Sequence, residues 1–176
     1  MHGIPSGRVL LEGDIVSVDC GTTLDGFIGD SAFTKGVGEV SKEKNHLINV
    51  TRDSLYKGIE KMLPGKHIGD VSAAIQKHVE KNGYHVPRKY TGHGVGRQMH
   101  EPPQVPNFGV PGQGMLLKEG MTIAIEPMVL VGTPKTRVLA DQWTVISADK
   151  SLTAHYEHTV AVTSNGPLIL TKKGER

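Results

Sequence analysis

The sequence predicts an α+β domain from three observations: a hairpin near the N-terminus with a two-residue turn signal, two amphipathic helices after it, and a second half of strand and loop patterns. Residues 14–20 and 27–34 read as strands, with Gly21 to Gly26 between them and Asp25-Gly26 as the turn signal. From Ser41 to Leu63, Leu47, Val50, Leu55, Ile59 and Met62 recur at helical spacing, and Pro64-Gly65 ends the run. A second helix is expected to start at Asp70 as N-cap, to carry Val71, Ala74, Ile75 and Val79 on one face, and to stop at Asn82-Gly83. Together the helices should cover one face of a sheet. Further strands are expected at 84–92, 121–126, 129–131, 143–147 and 153–163, with a Gly/Pro-rich loop at 102–114. No low-complexity tract or repeat breaks the pattern, so residues 1–176 read as one domain.

Composition narrows the function classes. Apolar residues make up 37% and charged residues 22%, the profile of a folded, turn-rich chain and not of a disordered or fibrous one. Lys plus Arg number 20 against 18 Asp plus Glu, a near balance that gives no electrostatic case for DNA or an acidic membrane. Apolar stretches such as 121–125 and 128–131 are too short to span a bilayer, and no secretory pattern is visible at the N-terminus. The single cysteine, Cys20, excludes an internal disulfide, so a reducing cytoplasmic setting is expected.

The chemistry-bearing residues lie in strands. With Asp25-Gly26 as a two-residue turn, Asp19 faces Ala32 and Asp30 becomes its diagonal neighbour on the same face, about 7–8 Å away. A turn centred one residue earlier would make the two aspartates direct partners. Such a pair is solvated, shares a proton, or holds a cation. Downstream, Glu126 shares a strand face with Thr122 and Ala124, and Glu157 lies with Thr159 and Ala161. Taken singly, each reads most simply as a surface residue; four strand carboxylates together are harder to dismiss. The segment 90–103 adds His93 between glycines and His100 before Pro102-Pro103; its glycines do not match a dinucleotide fingerprint. Oxygen and imidazole donors of this kind suffice for two divalent cations, as two-metal hydrolysis requires. Cys20 should point to the opposite face from Asp19 and be buried there. His46, His67, His78 and His85 read as solvated.

Several motifs, in order, resemble type I methionine aminopeptidases: His2-Gly3-Ile4-Pro5, Asp25-Gly26-Phe27 with Gly29-Asp30, Gly92-His93-Gly94-Val95-Gly96 through His100-Glu101-Pro102-Pro103, Gly120-Met121-Thr122 through Glu126-Pro127-Met128, and Trp143-Thr144-Val145 through Tyr156-Glu157-His158-Thr159. The resemblance spans nearly the whole chain. It implies the pita-bread fold, a mostly antiparallel curved sheet covered by helices around a dinuclear site. It implies Asp19, Asp30, His93, Glu126 and Glu157 as ligands of two divalent ions (Co, Mn, Fe(II) or Zn), with Asp30 and Glu157 bridging. It also implies that His100 and His2 lie beside the scissile bond, Trp143 at the methionine pocket, and Glu126 as proton shuttle. The activity implied is hydrolysis of the first peptide bond of Met-Xaa chains with a small second residue. Implied partners are peptides and nascent chains, with transient ribosome contact.

The family normally carries a further upstream segment that packs over the site, whereas here Met1 abuts His2. The N-terminal part therefore reads as truncated, leaving an open sheet edge expected to favour self-association. Two alternatives remain at this stage: a proline-specific peptidase of the same fold (prolidase or Xaa-Pro aminopeptidase), or a weakly active or non-catalytic form acting as a binding protein.

Overall fold

In the computed structural model, which describes residues 2–172, the Asp25-Gly26 turn sets the first register. Both residues take positive φ, 50° and 78°, as a two-residue turn matched to strand twist requires. It joins β1 (Ile15–Leu24) to β2 (Phe27–Gly36), with Leu24 opposite Phe27 and Asp19 opposite Ala32. Gly21 to Leu24, expected as connection, belong to the strand because the turn uses only two residues.

Helix α1 (Lys42–Ile59) starts at Ser41, whose Oγ accepts from the Lys44 N–H at 3.3 Å. It ends before Leu63, the chain passing through turns ahead of Pro64. Helix α2 (Ile68–Lys81) begins three residues earlier than expected, with His67 at the N-cap position. Asp70 is therefore not its N-cap but lies in the first turn, where its carboxylate reaches back to accept from the His67 N–H at 2.8 Å. Gly83, at φ 77°, follows the helix as expected. The helices meet at Gly58, where a Cβ would stand 2.9 Å from the Ile75 side chain.

The remaining strands are β3 (Thr91–Gly94), β4 (Glu101–Pro106), β5 (Thr122–Ile125), β6 (Met128–Leu130), β7 (Thr136–Val138), β8 (Val145–Ser147), β9 (Thr153–His155), β10 (Glu157–Thr163) and β11 (Gly166–Ile169). The main sheet runs β1-β2-β10-β5-β3-β4, with β11 also on β10 and every pairing antiparallel. β6 pairs with β9 and β7 with β8 in two small ladders. Leu47, Leu55, Val71, Ile75 and Val79 of the helices form one buried cluster with Ile123, Ile125 and Val160 of the sheet. That burial removes the alternate face of β5 and β10 from water and supplies the main stabilisation of the layer pair.

Three further sequence expectations change. Residues 101–106, of which 102–106 are expected as loop, pair with β3 as the terminal strand of the path, where prolines are tolerated because one side of the ladder needs no donor. The expected strand at 84–92 reduces to β3 and a single bridge between His85 and Leu130. Cys20 is exposed, not buried, because the outer half of β1 lies at the sheet edge.

Candidate active site

The helix-free face of the sheet gathers the carboxylates by register. Ala32 pairs with Asp19 on one side and Glu157 on the other. Ala124 likewise pairs with His93 on one side and Thr159 on the other. Continuing the β5–β10 register by one residue sets Glu126 beside Glu157. Asp30 stands two residues before Ala32, on the same face. The Asp30 main chain is held by the Thr159 hydroxyl, which accepts from its N–H at 2.8 Å and donates to its C=O at 2.9 Å. Small side chains at Ala32 and Ala124 form a floor, and acids and imidazoles stand around it.

The sequence-predicted ligands thus meet. His93 Nε2 lies 3.7 Å from Asp30 Oδ2 and 3.6 Å from Glu126 Oε1. Asp30, His93, Glu126 and Glu157 are buried, and Asp19 opens towards solvent. Burial raises the Glu126 carboxyl well above the usual carboxylate range, with Asp19 and Asp30 adding repulsion and His93 opposing it. Burial also raises the Glu157 carboxyl, and Glu126, Asp30 and Asp19 push it further. Such a cluster is electrostatically costly as a set of bare anions.

One residue that the sequence reasoning missed sits among them. His155 is 1% exposed, with Nε2 3.5 Å from Glu126 Oε2 and Nδ1 3.9 Å from Asp19 Oδ2. Burial lowers its pKa to about 4, which keeps the ring neutral near pH 7. The available signal was alternation: His155 precedes Glu157 by two residues, and only the break at Tyr156 between β9 and β10 obscures their shared face.

His100 is exposed, and its ring centroid lies 4.4 Å from that of His93. His2 reaches Asp19 with Nδ1 at 3.9 Å from Oδ2, and its C=O accepts from the Val145 N–H at 3.0 Å. Both histidines line a cavity of about 510 Å³ together with Tyr90, His93, Glu126 and Met128. Trp143 does not line it. The Trp143 ring is 57% exposed and 6.2 Å from the His2 ring, on a turn that Asp141 holds by accepting from the Trp143 N–H at 3.0 Å.

The cluster fits divalent cations by its own chemistry. Ligand-capable atoms of Asp30, His93 and Glu157 lie within 4.8 Å of one another, and so do those of Asp19, His155 and Glu157. Glu157 Oε1 is buried with no hydrogen-bond partner. Oxygen and imidazole donors without a thiolate suit Mn, Fe, Co or Zn. An antiparallel sheet carrying this donor cluster beside a substrate-sized cavity is the arrangement of a metallohydrolase.

Comparison with known proteins gives the family. Residues 1–164 match metallopeptidase family M24. The methionine aminopeptidase of Clostridium acetobutylicum is 55% identical over 172 residues, covering 97% of this chain and 69% of that protein. Methionine aminopeptidase 1 of Bacillus subtilis is 49% identical over 172 residues, covering 98% of this chain and 69% of that protein. The crystal structure of methionine aminopeptidase from Thermotoga maritima matches with a TM-score of 0.92 at 51% identity, over 94% of this chain and 67% of that one. Prolidase from Pyrococcus furiosus matches with a TM-score of 0.77 at 25% identity, over 99% of this chain and 46% of that one. This chain belongs to metallopeptidase family M24, and its α+β architecture is the pita-bread fold.

Proposed function

We propose that this chain hydrolyses the N-terminal methionine from peptides and nascent proteins, preferring a small second residue. The observation that carries the reading is the buried donor cluster at the wall of the cavity, on a chain about half identical to methionine aminopeptidases over nearly its whole length. Prolidase similarity is weaker in both identity and TM-score, so the proline-specific alternative is not favoured. The intact cluster argues likewise against a purely binding role.

In this reading Asp19, Asp30, His93, Glu126 and Glu157 would hold two divalent ions, which when bound would supply Lewis acidity and a water of lowered pKa. Glu126 would take a proton from the nucleophile and pass it to the leaving amine. His100 stands beside His93 at the cavity and hydrogen-bonds the substrate carbonyl region. His2 lies where the residue after methionine would pass, with the Trp143 ring beside it, 6.2 Å away. Restriction to the terminal bond follows from recognising a free α-amino group beside the carboxylates.

The same reading treats residues 1–176 as one catalytic domain working in the cytoplasm. No helix among the described residues is long and apolar enough to cross a membrane. Nascent chains as substrates would bring the chain into transient contact with the ribosome. Self-association uses the β1 edge, the open side of the sheet path, where Val18 is exposed. Light scattering checks that last point, and a monodisperse monomer contradicts it.

The test of function is substrate choice with metal present. Release of methionine from Met-Ala-Ser and Met-Gly peptides, with Xaa-Pro peptides left intact, is expected. Cleavage of the proline peptides with Met-Ala-Ser untouched would reverse the reading.

A further inference from the structure

The roles above use one imidazole as a ligand, His93, and leave a more deeply buried one, His155, without a task. Neither ring nitrogen of His155 has a hydrogen-bond partner, although the residue is 1% exposed. Buried polar atoms are normally paired, because leaving them unpaired costs the desolvation of the group. Both nitrogens instead face carboxylates, at 3.9 Å from Asp19 Oδ2 and 3.5 Å from Glu126 Oε2. These separations exceed the ~2.7–3.2 Å of an N–H···O bond. Two donors on one cation, each about 2.1 Å from the ion, stand roughly 3–4 Å apart, and the separation of Nδ1 from Asp19 on that side falls in this range. His93 shows the same spacing to Asp30 and Glu126, at 3.7 and 3.6 Å.

The two donor groups are also built alike. Asp30, His93 and Glu157 form one, and Asp19, His155 and Glu157 the other, with Glu157 common to both. His155 is held rigidly for such a task. Its N–H donates to Thr34 Oγ1 at 2.8 Å, and the Thr34 hydroxyl donates back to its C=O at 2.9 Å. A ring fixed from behind by its own backbone presents its nitrogens with little ordering left to do.

We propose that His155 is a nitrogen ligand of the cation on the Asp19 side, so that each of the two positions carries an imidazole of its own and shares Glu157. This rests on the dinuclear reading given above and adds a sixth protein ligand to it. The added nitrogen donor shifts the Asp19-side position away from Mg and Ca towards Zn, Co or Fe(II).

The test loads the full chain, labelled with nitrogen-15 histidine, with cadmium-113. The expected result is two cadmium ions per chain, with scalar coupling to ring nitrogens of His93 and His155, each to a different ion. His155→Gln should remove one coupling, keep the other, and weaken one of the two binding steps by at least about tenfold, the lower range for losing even an outer partner of a ligand. Its amide spectrum shows whether the fold is retained. Should that variant fail to fold, the couplings in the unaltered chain, assigned through the backbone, decide alone. Two bound ions with coupling to His93 only would overturn the proposal while leaving the dinuclear reading intact. Binding of fewer than two ions would overturn both.

Discussion

Asp19 and Glu157 sit on strands that do not pair with each other, yet both are register partners of Ala32, one from each side. The methyl group of Ala32 is therefore the only side chain separating the two carboxylates along that row of the sheet. Its size sets the space between them.

Ala32→Val adds two methyl groups to this floor at a residue only 3% exposed. Overpacking there should cost about 1–3 kcal/mol of stability. It should also weaken metal binding by about tenfold or more, as displaced ligand geometry does. Thermal melting and calorimetric metal titration check the two effects separately.

Metal should stabilise the fold in proportion to its concentration. At a free ion concentration about 100 times Kd, the expected gain is ~2.7 kcal/mol, seen as a rise in Tm that a chelator reverses. In Glu157→Gln most of that gain should vanish. The metal-free variant should melt no lower than the metal-free parent, because a buried acid surrounded by Glu126, Asp30 and Asp19 has been neutralised.

Gly92 is required by close approach, not by a positive φ. A Cβ there would run into the Ala124 carbonyl oxygen, the backbone that positions His93 across the ladder. Gly92→Ala should cost about 1–3 kcal/mol and lower metal affinity, because β3 must shift away from β5. Denaturant unfolding measures the first loss and metal titration the second.

Asp149 provides a pH signature remote from the metal cluster. Its carboxylate accepts from the Ser147 hydroxyl and from Ser151, which lowers its pKa to about 2 from an ordinary 3.8. The unfolded chain therefore binds the proton more readily. The stabilisation is present above pH 3.8 and is lost as pH falls through about 2. A carboxyl-carbon NMR titration should give a midpoint near 2 for Asp149, and Asp149→Asn should flatten acid unfolding across that window.

Much of this was legible because short-range rules govern it. The Asp25-Gly26 turn fixes the register that makes Asp30 the diagonal neighbour of Asp19, and helical spacing marks both helices. The failures arise where tertiary context overrides local pattern. Pro102 and Pro103 read as loop, yet β4 needs few donors at its sheet position. Asp70 reads as a cap, although it acts from inside the first turn. Cys20 reads as buried by alternation, but no layer covers that end of β1. β7 and β11 are segments of three and four residues, too short to carry a periodicity. His155 escaped notice because the break at Tyr156 hides its alternation with Glu157.

The most direct measurement is methionine release from Met-Ala-Ser by the metal-stripped chain, titrated with Mn, Co, Zn and anaerobic Fe(II), with Glu126→Gln alongside. The account predicts no release without metal, a rise that saturates near two ions per chain, and loss of at least about 100-fold in Glu126→Gln, the usual contribution of a positioned acid–base group. Release that persists after chelation, or that is unchanged in Glu126→Gln, would contradict it.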